Sequence, residues 1–317
     1  MSGCRDYCVD LLGALVRHCP RLRSLNARLA EPGYEPYIGD LVPVLQLLGR
    51  CGGSLRLLDL AGCCSPQSEA ALAPALSALS GLRALCLSNW QLSTQAGPAL
   101  QRCPATALAH LNLRAVNSVT DAHLAPLLSA NPGLRSLNVG CCSRLTDATL
   151  HLLGAACTRL DSLDVCYASG MSAQGVRAVA SALPRLLEFG FSGFEGLRDG
   201  DVERIAERHP ELRLIGIGGI PALTDAALAA VASHCPRLES LYAADLPLVT
   251  PAGLAGLLAA CPRLRRLAVE GCPMLGRAGE AAALAGRFPY QFDGDMLSEE
   301  AVREVDEFAA AAAPAPG

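Results

Sequence analysis

A chain of 317 residues, 51% of them apolar, carries enough hydrophobic matter for a folded core and is not a disordered polypeptide. No apolar run approaches the roughly 20 residues of a membrane-spanning helix, and the start Met-Ser-Gly-Cys-Arg-Asp lacks a charged-then-apolar export pattern, so the reading is a soluble protein of the cytoplasm or nucleus. The net charge of -4, from 26 basic and 30 acidic residues, supplies no overall field for phosphate backbones or anionic lipid, and neither nucleic acid nor membrane is expected as a partner.

In chain order, Tyr7 to Cys19 reads as the helix of an N-terminal half-repeat, residues 1–21 forming a cap. Leu22 then opens an LxxLxL-type segment, and the same leading leucine returns at Leu55, Leu82, Leu108, Leu134, Leu160, Leu186, Leu212, Leu238 and Leu264. From Leu82 onward the seven intervals are 26 residues each, after first intervals of 33 and 27. Such self-similarity marks a repeat architecture. Two segments depart from it: Ala30 to Gly39 inserts a Gly/Pro/Tyr loop containing Tyr34 and Tyr37, and Pro98 with Ala105-Thr106-Ala107 disturbs the third unit.

The unit from Leu134 to Arg159 shows the mechanics. Leu134, Leu137 and Val139 alternate with Ser136 and Asn138, the period of a short strand with one buried face. Cys142 and Leu145 turn inward. Thr146 and Asp147 supply an N-cap hydroxyl and a carboxylate at the positive end of a helix, whose apolar side is Leu150, Leu152 and Leu153. The order recurs at Leu223-Thr224-Asp225 and at Val249-Thr250-Pro251, where proline occupies the first helical position. A strand of three or four residues and one helix cannot bury their own apolar faces, so the units must stack. Helices, about 10 Å wide against about 4.8 Å for strands, then take the outer rim and strands the inner. The expected fold is an α/β right-handed solenoid, a horseshoe of residues 22–289 with parallel strands on its concave face, helices on its convex face and roughly 43 Å of inner arc. That length suits a folded domain or long peptide as partner. Residues 290–308 read as a degenerate capping repeat that echoes Leu223 to Leu228, and residues 309–317 as a disordered Ala/Pro tail.

Cysteine and histidine invite an enzyme or zinc reading. The 15 cysteines lie in a long chain without an export signal, which favours reduced thiols over disulfides. Cys19, Cys157, Cys235 and Cys261 share one repeat position and Cys63, Cys142 and Cys272 another, as small core side chains would. Cys63-Cys64 and Cys141-Cys142 are three repeats, roughly 14 Å, apart, whereas zinc holds its sulfurs at about 2.3 Å. Cys4 and Cys8 share a helix face with no second ligand pair. His18, His209 and His234 fall at helix C-termini, where imidazole bonds free carbonyls and complements the dipole. No glycine pair forms a phosphate-binding loop. No catalytic residue, cofactor or metal is expected.

The pre-strand Cys-Pro-Arg-Leu at Cys19, Cys235 and Cys261, the looser Cys157-Thr158-Arg159-Leu160, the post-strand Cys63, Cys142 and Cys272, and the Leu-Thr-Asp helix starts at Leu145 and Leu223 resemble the cysteine-containing leucine-rich repeats of F-box/leucine-rich-repeat proteins, over about Cys8 to Arg287. The resemblance implies a leucine-rich-repeat solenoid that recognises a protein substrate for an SCF-type ubiquitin ligase, with ligase components among its partners; the alternative is a general signalling or assembly scaffold. In that family a separate F-box of some forty-odd residues docks the ligase adaptor. Only 21 residues precede Leu22 here, and no F-box is recognisable in them. Either the F-box is lost or truncated, or the chain binds without recruiting the ligase. All 26 basic residues are arginine; a high-GC codon bias explains a lysine-free chain, and escape of a ligase subunit from its own modification is the second explanation.

Residues two, four and six after each leading leucine face the concave side. This gives a candidate partner surface of His110, Asn112, Arg114, Asn138 and Asp164, then Tyr242, Arg266 and Glu270. Between these groups Gly190, Gly216 and Gly218 leave a nearly side-chain-free stretch edged by Glu188. Tyrosine and arginine are enriched at binding hot spots, which makes Tyr242 and Arg266 the expected anchors. The competing reading is that small residues let the sheet curve and polar ones face water.

Overall fold

The computed structural model describes residues 13–14, 16–19, 21–27, 41–90 and 93–276. The inserted loop with Tyr34 and Tyr37, the Cys4/Cys8 pair, most of the N-terminal cap, the capping repeat at 290–308 and the tail at 309–317 lie outside these residues. The chain divides into two units with a boundary between Arg144 and Leu145.

In the first unit strands alternate with helices: β1 (Ser24–Asn26), α1 (Val42–Leu48), β2 (Leu57–Asp59), α2 (Pro66–Ser77), β3 (Ala84–Cys86), α3 (Ala96–Gln101), β4 (His110–Asn112), α4 (Asp121–Ala130) and β5 (Ser136–Asn138). The second continues the alternation with α5 (Asp147–Ala156), β6 (Ser162–Asp164), α6 (Ala173–Ala182), β7 (Glu188–Gly190), α7 (Asp199–Arg208), β8 (Leu214–Gly216), α8 (Asp225–His234), β9 (Ser240–Tyr242), α9 (Pro251–Ala260) and β10 (Arg266–Ala268). Within each unit the strands pair parallel and in chain order, with residues at the same repeat position side by side. Leu58, Leu85, Leu111 and Leu137 form one such row and Leu163, Phe189, Ile215, Leu241 and Leu267 another. The α/β leucine-rich-repeat fold is thus the one the 26-residue spacing predicts.

The leading leucines are the core. Leu55, Leu82, Leu134, Leu160, Leu186, Leu212 and Leu238 are all buried, each worth about 1.5–3 kcal/mol of burial. Of the repeating cysteines Cys63, Cys142, Cys157, Cys235, Cys261 and Cys272 are buried with them, whereas Cys19, ahead of the first strand, is exposed and not the core side chain its repeat position predicts; Cys142 donates S–H to the Leu113 oxygen of the preceding repeat at 3.0 Å and Cys272 to that of Ala243 at 3.2 Å. Pro98 sits in the first turn of α3, where no N–H is needed, and α3 is nonetheless the shortest of the α-helices α1 to α9, at six residues.

The hydrogen-bond ladder runs past each strand. Seven residues after each leading leucine the backbone turns left-handed, at Gly62, Asn89, Ala115 and Cys141 in the first unit and at Tyr167, Gly193, Gly219, Asp245 and Gly271 in the second. Asn89 thereby donates to the Arg114 oxygen at 2.8 Å, Gly193 to Gly218 at 2.8 Å and Asp245 to Glu270 at 2.7 Å. Just before the turn, an Asx side chain at strand position four accepts the N–H two residues on: Asn112 from Arg114, Asn138 from Gly140 and Asp164 from Cys166. These polar side chains hold their own strand ends.

On the helical side the second unit repeats a different bond. Asp147, Asp199 and Asp225, each in the first turn of its helix, accept the backbone N–H and the hydroxyl of the next repeat's N-cap: Ser172, Thr224 and Thr250. One carboxylate thus serves two helix N-termini, its own dipole and its neighbour's donors. The series skips α6, whose first residue is Ala173. There Arg177 takes over, with Nε 2.8 Å and a terminal nitrogen 2.9 Å from the two oxygens of Asp201 in α7, and a further bond of 2.8 Å to the Gly196 carbonyl.

Candidate functional site

Strand alternation predicts an open inner face along both units, and the structure separates them. In β2, β3 and β4 all three residues are buried, because positions two and four carry Leu57, Ala84 and Cys86, which cluster with Ala61. His110 and Asn112 are 4% and 3% exposed, so both lie beneath the surface, and Arg114 is half-buried. Asn138 in β5 is half-exposed. The other expected contact residues all belong to the second unit.

Strand register places those residues in two rows. Ser162, Glu188, Leu214, Ser240 and Arg266 stand side by side, and next to them Asp164, Gly190, Gly216, Tyr242 and Ala268. Asp164, Glu188 and Tyr242 are half-buried, while Arg266 and Glu270 are exposed. Glu188 accepts a 2.8 Å hydrogen bond from the Ser162 hydroxyl, which fixes its carboxylate at the rim. Tyr242 flanks Gly216 directly, whereas Arg266 lies three strands from Glu188, roughly 14 Å. Tyr242 and Arg266 are therefore one cluster, and Asp164 with Glu188 another, with glycine between them.

Close packing, not vacancy alone, requires these glycines. A Cβ on Gly190 would stand 2.9 Å from Asp164 Oδ1 and from Cys166 Sγ, and one on Gly218 2.9 Å from the Ala244 carbonyl oxygen. Gly218 also donates to Ser192 Oγ at 3.0 Å, and Cys166 Sγ accepts from Ser192 N at 3.3 Å. Because its obstacle is backbone, Gly218→Ala is expected to cost about 1–3 kcal/mol in chemical unfolding; an unchanged midpoint would mean that the repeats separate there without strain.

Sequence reasoning missed Tyr167. Its backbone is left-handed at φ 56, a conformation rare for bulky residues, and its side chain is 49% exposed. The ring lies across the next two turns: a Cβ on Gly193 would meet Cδ1 at 2.5 Å, and one on Gly219 would meet the hydroxyl at 3.2 Å. A tyrosine held flat on two glycine turns forms an aromatic margin to the glycine stretch. The signal in the sequence was position seven itself, occupied in most repeats by Gly, Asn or Asp, where a tyrosine is out of place.

Each described thiol with a shifted pKa is moved away from reactivity. Burial pushes the thiols of Cys86 and Cys235 up to about 12 and that of Cys166 well above its ordinary value, helped at Cys86 and Cys166 by the Asp59 and Asp164 carboxylates, whereas a reactive cysteine needs a lowered pKa. Among the described residues no three His, Cys, Asp or Glu side chains gather as a metal site, and no helix is long and apolar enough to cross a membrane. His209 caps a neighbour rather than its own helix. Its Nδ1 accepts the Leu186 N–H at 3.2 Å and its Nε2 donates to the Ala180 carbonyl of α6 at 2.9 Å. Burial, with Arg208 nearby, lowers its pKa, so the ring serves as a neutral hydrogen-bond bridge and not as a cation on the dipole.

No family model and no curated protein sequence matches the chain. Among solved structures it is similar to a chain of the yeast Rad7 and Elc1 complex, with 19% identity and a TM-score of 0.69 over 89% of this chain and 70% of that one. The leucine-rich-repeat-containing protein LegL7 from Legionella pneumophila superposes at a TM-score of 0.43 with 14% identity, over 78% and 82% of the two chains. Backbone and side chains alike give the α/β leucine-rich-repeat fold, with an exposed polar and aromatic sheet face on its second unit.

Proposed function

We propose that the chain is a protein-interaction module without catalytic activity, and that it grips a protein partner on the exposed sheet face of the second unit. The observation that carries this reading is Tyr167, a large ring kept half in solvent on a strained backbone and laid over Gly193 and Gly219. Strain kept at a surface residue points to use, and tyrosine and arginine are enriched among the hot spots of protein interfaces. Tyr242 and Arg266 form the second anchor, and Asp164, Glu188 and Glu270 supply charge around the glycine stretch. The partner's backbone or a bulky group lies on that stretch.

The test is capture of partners from lysate by the wild-type chain and by Tyr167→Ala, Tyr242→Ala and Arg266→Ala variants, with folding checked by circular dichroism. Proteins captured by the wild type are expected to fall about tenfold or more with Tyr242→Ala or Tyr167→Ala, in keeping with hot-spot losses of about 1.4 kcal/mol or more. Undiminished capture by all three folded variants would reject the face.

The finer reading is substrate recognition for an SCF-type ubiquitin ligase. It is supported by the resemblance of the Cys-Pro-Arg-Leu repeats to F-box/leucine-rich-repeat proteins, and by the similarity to a chain of the crystallised yeast Rad7 and Elc1 complex. The alternative is a scaffold with no ligase role. Enrichment of the ligase adaptor in the captured material favours the first, and its absence beside other specific partners favours the second.

A further inference from the structure

Nine and ten residues after each leading leucine the chain has just left the left-handed turn. In four successive repeats those two positions hold Asn117-Ser118, Ser143-Arg144, Ser169-Gly170 and Glu195-Gly196, polar or without a side chain. The next three repeats change character: Pro221-Ala222, Pro247-Leu248 and Pro273-Met274. The fold does not require this, because the same loop closes in the other repeats without an apolar residue. Burial does not explain it either. Leu248 is 50% exposed and Met274 58%, whereas Leu246, Val249, Cys272 and Leu275 around them are buried.

Isolated exposed apolar side chains are ordinary, but adjacent ones on a firm support mark a contact surface. The support here is firm. A parallel bridge joins Thr224 to Leu248, so the loops of neighbouring repeats run at strand distance, roughly 5 Å. Leu246 donates its N–H to Cys272 Sγ at 3.4 Å, and Cys272 donates in turn to the Ala243 carbonyl at 3.2 Å. The prolines fix φ and leave no N–H to satisfy. The two repeats therefore present a pre-formed step of proline, leucine and methionine, and methionine suits surfaces that adapt to a partner's shape.

The border of this step is acidic. Asp245 and Glu270 occupy the turn just before it, in adjacent repeats, where the Asp245 N–H donates to the Glu270 carbonyl at 2.7 Å. Both are exposed, and among the described residues neither carboxylate enters an ion pair or a side-chain hydrogen bond. Burial raises the pKa of the Cys272 thiol, and the charges of Asp245 and Glu270 raise it further, so the two carboxylates converge on one spot. Arg266 stands four residues before Glu270 along the chain, roughly 13 Å in extended backbone.

We propose that this step docks a segment of a partner protein that is both apolar and basic, with aliphatic side chains seated on Leu248 and Met274 and an arginine or lysine beside Asp245 and Glu270. The site adjoins the sheet face proposed above and shares Glu270 with it, but does not depend on Tyr167 or Tyr242. Charge decides among the occupants. An anionic lipid surface would meet two carboxylates at the same place and be repelled. A second copy of the chain would bring the same two charges against them, and two side chains fall far short of the about 800 Å² per partner of a stable interface.

The test is fluorescence anisotropy of a short labelled amphipathic peptide of leucine, alanine and arginine with the full chain. Leu248→Ser combined with Met274→Ser should weaken binding about tenfold or more; serine is a residue that position ten already accepts at Ser118, and each single substitution serves if the pair disturbs folding. Asp245→Asn with Glu270→Gln should weaken binding about threefold and remove much of its salt dependence, since asparagine tolerates the left-handed backbone of Asp245. Leu258→Ser, at an exposed leucine of α9, should change little. Three results would overturn the proposal: no binding by the wild type, equal binding by the folded Leu248→Ser and Met274→Ser variants, or a peptide with glutamate for arginine bound as tightly. Sedimentation with anionic vesicles, or self-association, that those variants alone lose would also overturn it, and would assign the step to a lipid surface or a second copy. Loss of peptide binding with Tyr242-dependent capture intact would support the step as a separate site and leave the function proposed above standing. Peptide binding in a chain whose capture is indifferent to Tyr167 and Tyr242 would support the step and reject that face.

Discussion

His209→Ala should lower stability by about 2–4 kcal/mol, the sum of a cavity and of buried backbone groups left without partners, whereas His209→Asn should retain most of it. The reason lies in the first unit, where Asn131 stands three residues before Leu134 just as His209 stands three before Leu212. Asn131 Oδ1 accepts the Leu108 N–H at 2.7 Å and Nδ2 donates to the Ala105 and Leu127 carbonyls at 2.9 and 2.8 Å. His209 does the same work with its two ring nitrogens. Imidazole differs in one respect: protonation puts a hydrogen on Nδ1, facing the Leu186 N–H. Burial accordingly depresses its pKa, so the unfolded chain binds the proton more readily than the folded one. Its contribution is complete above the ordinary imidazole value of about 6.5 and is lost as pH falls below it. Urea unfolding at pH 7.5 and pH 5.5 should show a drop in the wild type that is smaller in His209→Asn; identical drops would mean that His209 does not govern this range.

Asp201→Ala should cost about 2–4 kcal/mol, with Asp201→Asn somewhat less costly. Asp201 is buried, accepts the fork from Arg177, a bond from Arg204 and the Arg198 N–H at 3.0 Å, and so replaces the helix-to-helix carboxylate bond that Ala173 cannot make. Its removal loses charge-assisted hydrogen bonds and a helix cap together. The cost stays below that of a fully buried pair because Arg177 is 40% exposed and can turn to water. Arg177→Lys should recover only part of the bond, since an ammonium cannot span both oxygens. The Arg177 bonds hold the carboxyl below its ordinary range against the opposing effect of burial. A depressed carboxyl stabilises the fold above its unfolded value, near 4, and that share is lost as pH falls further. The acid response thus has two stages, the imidazole first and this carboxyl second. Thermal melts across that range test it: Asp201→Asn should flatten the lower stage alone.

The spacing of the leading leucines made the strands, the parallel order and the buried cysteine columns legible, because each follows from one repeated position. Thr224-Asp225 and Thr250-Pro251 likewise read as helix starts. The second bond of Asp225, to the next N-cap, was not legible: periodicity says which residues share a position but not how far a side chain reaches. The left-handed turn explains why Tyr167 was passed over, since strand alternation stops one residue short of it. His110 and Asn112 satisfy the alternation rule and are nonetheless buried, because the rule assigns a face and not its exposure.

Site-specific photocrosslinking reaches the central claim most directly. A benzophenone side chain placed at Tyr242 or Tyr167 should yield covalent adducts with a protein partner, and the same group at exposed Arg208 on the helical side should not. Adducts from the helical position alone, with none from Tyr242 or Tyr167 in folded protein, would contradict the assignment of the second unit's sheet face as the surface that binds.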